Sequence, residues 1–279
     1  MMSRDFHSED LVMIRSDKTS RRGFTMVEML VLLALVVVLA GVLLPALLRA
    51  DERADRITCQ NNLKQILLAM HNCNDMHGKL PPTVGSFPGA ISDGTVQFYL
   101  LPFLEEEKLF NDAADGSGGF SVWVNGTYSK KVPVFICPAD SSGGDDHMFN
   151  DWLATSNYAA NYLVFALGGA SFPRSFPDGT SNTIAFAERF QICNQTPCAW
   201  AYSGESEWAP MFGYSSLGKF QLMPEQARCN PALPQGLHSG GIEVGMGDGS
   251  VRFVDSAITP QTWWCAVCPN DGLPLGSDW

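Results

Sequence analysis

The stretch Arg21-Arg22-Gly23-Phe24-Thr25-Met26-Val27-Glu28 runs straight into MLVLLALVVVLAGVLLPALL, residues 29–48, which carries no charge. A helix of that length, at about 1.5 Å per residue, spans roughly 30 Å, the hydrocarbon thickness of a bilayer. One carboxylate, Glu28, stands at its entrance. Carried into a membrane unpaired it costs about 2–3 kcal/mol, so the pattern predicts a cationic partner for it.

Basic residues, then Gly-Phe-Thr, then an acid at the fifth position after the glycine, then the apolar run: this order resembles the prepilin-type cleavage and methylation signal. That signal belongs to type IV pilins and to the pseudopilins of type II secretion systems. The resemblance implies that a prepilin peptidase cuts after Gly23 and methylates the new amino terminus, Phe24. Glu28 then falls on the fifth mature position and Pro45 on the twenty-second, both characteristic of the family. The physics is compatible. A freed amine on Phe24 is a cation at the depth of Glu28, and pairing the two between neighbouring chains neutralises both charges and fixes an axial offset. Two other readings fit the run. A secretory signal peptide has a core of about 7–15 residues and a small-residue cut site, and this run is longer. A plain single-pass anchor leaves Glu28 to reach back to the interface.

The chain has 279 residues, 18 of them basic and 29 acidic. Without residues 1–23, which hold five basic and four acidic residues, 13 and 25 remain, a net charge of −12. Such a balance argues against nucleic acid, which needs a basic face. Arg21 and Arg22 abut the apolar run and favour an inside amino terminus. The expected layout is a leader (1–23), a membrane helix (24–48), its amphipathic continuation (49–78) and a head (79–279). The expected location is the bacterial cytoplasmic membrane, single pass, with the head outside the cytoplasm.

Beyond the apolar run, Cys59, Leu63, Ile66, Met70, Cys73 and His77 recur at helical spacing, with Leu67 beside them. They predict one buried face of a helix that runs to His77 and stops at Gly78. Pro45 predicts a kink. His71 and His77 read as structural. Val96–Leu109 reads as a short helix or strand. Phe120–Val124 and Val132–Ile136 read as strands around a turn at Asn125-Gly126, and Thr183–Glu188 as another. Ile242–Met246 and Ser250–Val254 flank Asp248-Gly249, a two-strand hairpin signal. The fold class that follows is α+β: a long N-terminal helix on a small antiparallel sheet, with long loop insertions between residues 140 and 235.

A second resemblance covers most of the head. Asn61-Asn62-Leu63-Lys64-Gln65, Ala69-Met70-His71-Asn72, Pro81-Pro82, Leu100-Leu101-Pro102-Phe103-Leu104-Glu105, Cys137-Pro138-Ala139-Asp140, Asp178-Gly179-Thr180-Ser181-Asn182, Glu188, His238-Ser239-Gly240-Gly241 and Asp248-Gly249 resemble DUF1559. That is a large bacterial group of pseudopilin-like proteins, carrying a solute-binding label without a defined ligand. Ser239 stands where proline is common, and the tail is rich in Trp and Cys.

Eight cysteines in an exported head predict disulfides. Cys59 and Cys73, about 21 Å apart along one helix, cannot bridge each other. Cys193–Cys198 is the expected local bridge. Cys265-x-x-Cys268 reads as disulfide-forming, with a zinc site shared with Cys193 and Cys198, or redox work, as alternatives. Asp145, Asp146 and His147 read as a solvated turn rather than a calcium site. His238 and Asp248, at opposite ends of one strand, lack a positioned nucleophile. Trp200, Trp208, Trp263, Trp264 and Trp279 read as core, a sugar- or peptide-binding surface being the alternative. The chain therefore reads as a non-enzymatic pseudopilin-like subunit without a cofactor or metal. Its expected partners are the prepilin peptidase, copies of itself or related pseudopilins, and lipid. The alternative is an anchored extracytoplasmic protein that binds a solute or polymer.

Overall fold

The computed structural model describes residues 24–279 apart from 117, 167–169, 205 and 215–217, and leaves out the side chains of 42–49. Gly23 and the side chain of Pro45 lie outside the described residues, as does the leader. Helix α1 is Met26–His77, 52 residues. The chain divides into two compact units, Met1–Arg49 and Ala50–Trp279. In the first, thirteen large apolar side chains between Phe24 and Leu39 are 45–85 % exposed. Among the described residues no helix is long and apolar enough to cross a membrane; the expected span includes 42–49, whose side chains are not among them.

In the second unit the helical stripe is buried as its spacing predicts. Cys59, Leu63, Ile66, Leu67, Met70 and Cys73 are all fully buried. His77 packs edge-on against Phe87 at 5.0 Å. The helix ends where Gly78 turns left-handed (φ +66°) and its N–H closes on the Asn74 carbonyl, a glycine stop that spares any side chain the strain.

The stripe rests on a five-stranded sheet built from β1 (Tyr158–Asn161), β2 (Ile184–Glu188), β3 (Met211–Phe212), β4 (Gly241–Met246) and β5 (Val251–Asp255). Its order is β5-β4-β2-β1-β3. All pairs are antiparallel except β1–β3. The Asp248-Gly249 hairpin forms as expected. Gly249 takes φ +87°, and the Asp248 carboxylate accepts from the Ser250 amide at 2.9 Å.

Strand side chains alternate between faces. Tyr158, Ala160 and Phe186 therefore join the core under α1. Ala159, Ala187, Ile242, Val244 and Met246 point the other way, into a second core. That second face is covered by a short helix, α2 (Pro260–Val267), which brings Trp263 and Ala266. With both faces covered, β4 is buried at every residue. Glu243 and Gly245 share the α1 side of this strand. A Cβ on Gly245 would stand 2.9 Å from Leu67, so glycine here sets how closely the helix approaches.

Two strand expectations fail. Phe120–Val124 and Val132–Ile136 form turns and 3-10 helix instead, with Thr127–Ser129 and Pro133–Phe135 helical. Pro133 has no N–H for a ladder and opens a helical turn instead. The Val124, Thr127 and Ile136 amides are satisfied three residues back. Conversely, residues 140–235 are less loop-like than expected, since besides the expected strand β2 they supply β1 and β3.

Candidate functional site

Because Phe186 faces α1, so does Glu188, two residues on. Glu243 faces it from β4. Opposite them α1 presents Arg56, Cys59, Gln60 and Asn62 within two turns. The result is a buried polar seam between helix and sheet. Arg56 donates from Nε to Glu243 Oε1 at 2.6 Å, and Gln60 donates to the same oxygen at 2.9 Å. The Arg56 guanidinium also lies over the Phe253 ring, 3.6 Å from its centre. The Glu243 amide donates to Glu188 Oε2 at 2.9 Å. Glu188 Oε1 is 3.1 Å from His238 Nε2. That same nitrogen is 3.7 Å from the sulfur of Cys137. Asn62 donates to the Ile136 carbonyl at 2.8 Å and lies 3.3 Å from the Tyr158 hydroxyl.

The seam is also covalent. Cys59 on α1 is bonded to Cys137. Cys137 is held in turn by Asn157, whose Oδ1 accepts the Cys137 amide at 2.8 Å and whose amide group donates to Asp140 at 2.6 Å. At the edge of the seam Ser239 donates to Glu52 from both its amide and its hydroxyl.

Glu188, Glu243 and His238 are 1 % exposed or less. Burial pushes the Glu188 carboxyl above its ordinary range, against the pull of His238. The Tyr158 hydroxyl is raised well above its usual value by the same desolvation and by Glu188. Among the described residues Glu188 Oε1, His238 Nδ1 and Glu243 Oε2 have no hydrogen-bond partner, so the 3.1 Å His238–Glu188 approach is close but not aligned as a hydrogen bond.

A nucleophile–base–orienter relay uses the two imidazole nitrogens for different partners. Here Nε2 faces both the sulfur and the carboxylate, and the sulfur is already bonded. The ligand atoms of Cys59, Cys137, Glu188 and His238 do lie within 4.8 Å of one another. Two thiolates, an imidazole and a carboxylate make a zinc-type set, but in the disulfide neither sulfur is a thiolate. What the arrangement does as it stands is fasten α1 to the sheet.

The seam gathers Asn62, Cys137, Glu188 and His238, residues that the sequence had singled out. Asp248 does not join them; it stays exposed in its turn. His71 stacks on Phe172 at 4.5 Å. Asp145 and Asp146 remain exposed, and His147 contacts Gln191 at 3.0 Å. The expected Cys193–Cys198 bridge is not formed. Cys193 pairs across a two-residue hairpin with Thr196, which leaves Cys198 out of register, and Cys193 is bonded to Cys229. Cys198, Cys265 and Cys268 are free, as is Cys73. Burial lifts the Cys73 thiol to about 12 and that of Cys198 to about 11, so both are inert. Trp200 and Trp263 are core, as expected.

Arg56 and Glu243 were missed. The available signal was a lone acid inside the apolar strand Gly241–Met246, a position that demands a partner.

Residues 49–261 match a family described as a protein of unknown function, DUF1559 (SBP_bac_10). The chain belongs to that family. No curated protein and no solved structure matches it.

Proposed function

We propose that this chain is a non-enzymatic pseudopilin-like subunit, cut after Gly23 and assembled through its N-terminal helix into a filament or secretion-associated fibre. The observation that carries this reading is the exposure of the apolar residues between Phe24 and Leu39 on an unbroken helix. Thirteen large side chains left in water form a surface that requires lipid or other helices. Glu28 supports it. Its carboxylate accepts from the Thr25 amide at 2.8 Å and hydroxyl at 2.9 Å, one residue from the amine that cleavage would leave on Phe24. The partners are the prepilin peptidase, neighbouring subunits and the bilayer. Two disulfides in the unit Ala50–Trp279 favour an oxidising compartment, hence a head outside the cytoplasm. Replacing Glu28 with Leu tests the reading: membrane association persists and assembly is lost. Normal assembly of that variant would refute it.

A further inference from the structure

Away from the seam, six half-buried or exposed aromatic rings form an arc of contacts that leaves one hairpin tip at Phe149 and returns to it at Trp152. Phe149 meets Trp208 at 5.3 Å, and Trp208 meets Tyr202 at 5.5 Å. Tyr202 meets Trp123 at 6.3 Å, Trp123 meets Tyr128 at 5.5 Å, and Tyr128 meets Trp152 at 5.9 Å. Trp123 and Trp152 are 38 % and 39 % exposed. Core packing accounts for Trp200 and Trp263, and in part for Tyr128, but not for Trp123 and Trp152.

At Phe149 the arc meets a cleft of about 500 Å³ lined by the amides Asn150, Asn194, Gln195 and Gln226 and by the apolar Ile192 and Ala227, with no charged side chain among these lining residues. Two hairpin tips build it. One follows the pairing of Met148–Phe149 with Leu153–Ala154, the other that of Ile192–Cys193 with Thr196–Pro197. Asn150, Asn194 and Gln195 all take positive φ, of 50°, 48° and 64°. Left-handed backbone is disfavoured for such residues and persists where the surroundings impose it. The Cys193–Cys229 bond and the Asn194 amide, donating to the Gln226 carbonyl at 2.8 Å, hold the second tip against the far wall.

We propose that this cleft and arc bind a neutral polysaccharide. Amide side chains both donate and accept without charge, which matches hydroxyls that do the same. The electron-rich faces of Trp and Tyr match the C–H faces of sugar rings. The acidic excess of the chain disfavours uronates and phosphorylated polymers. The cleft seats the first sugars, and the exposed rings of Trp152, on the same hairpin tip as Phe149, and of Trp123 offer stacking faces to the units that follow. Assembly through α1 is a separate matter, since saccharide binding by the head does not depend on Glu28.

The test is calorimetric titration of the detergent-solubilised full chain with cellohexaose, maltohexaose, xylohexaose, mannohexaose and chitohexaose, alongside polygalacturonate and an unstructured peptide. The expected result is saturable binding of at least one neutral hexasaccharide, weakened about tenfold or more by Trp152→Ala and by Gln195→Ala, with an unchanged melting temperature. Trp152 and Gln195 lie at the hairpin tips rather than in the core, and the Glu28→Leu chain should bind as wild type does. The proposal is overturned by any of three results. None of the five neutral sugars binds; only polygalacturonate or the peptide binds; or both variants keep wild-type affinity.

Discussion

Residues 29–41 and 59–77 belong to the same helix and are both rich in apolar side chains, yet those of the first stretch are exposed and the apolar stripe of the second is buried. The difference lies in pattern. The first is apolar all round, so no single neighbouring face can cover it. The second concentrates Cys59, Leu63, Ile66, Met70 and Cys73 on one stripe, which a sheet can cover. Covering it leaves room on the same face for the Arg56–Glu243 pair, Gln60 and the Cys59–Cys137 bond. The helix is thus fastened in its second part, while the apolar side chains of its first part stay exposed.

That contrast can be broken from the fastened side first. Replacing Cys59 and Cys137 together with Ala should cost the head about 4 kcal/mol, because the bond closes a sequence separation of 78 residues. Chemical denaturation with and without reductant would show it, and a loss of less than about 1 kcal/mol would count against the seam as a fastener. Arg56→Ala should cost about 2 kcal/mol, since it leaves a fully buried Glu243 without its charge partner and with Gln60 as the remaining donor on that oxygen. Arg56→Lys should recover only part of that, having no planar group to lie over Phe253. Gly245→Ala should cost about 1–2 kcal/mol by pressing on Leu67.

The pH dependence has a definite sign. Glu188 titrates higher in the folded chain than in the unfolded one, because burial penalises its charge. Its contribution to stability is therefore full below the ordinary glutamate range and is lost as pH rises through the folded value. Urea midpoints measured from acid to neutral pH should show this decline, and Glu188→Gln should flatten it. A variant with the wild-type slope would place the titrating group elsewhere. At the small end, Glu28→Leu should leave the stability of the head within about 0.5 kcal/mol of wild type, because among the described residues its side chain bonds to Thr25.

The contrast within α1 was legible in the sequence, because helical periodicity and uninterrupted apolarity are local signals. So was the Asp248-Gly249 hairpin, whose turn residues state their own geometry. Glu188 and His238 could be singled out but not placed together, since their meeting depends on β2 and β4 becoming neighbours. The cysteine pairing was illegible for the same reason: Cys229 reaches Cys193 only after the intervening strands are in place. Strand-like composition misled at Val132–Ile136, where Pro133 denied the ladder a donor and local turns took over. The aromatic arc joins rings from positions 123 to 208, and no window of sequence displays it.

Assembly through the exposed part of α1, as proposed, requires an amino end made by processing. Intact mass and N-terminal sequencing of the protein extracted from cell membranes test this most directly. The account predicts a chain that begins at Phe24, carries one methyl group on its amine and retains two disulfides. A chain that begins at Met1, or anywhere other than Phe24, would contradict it.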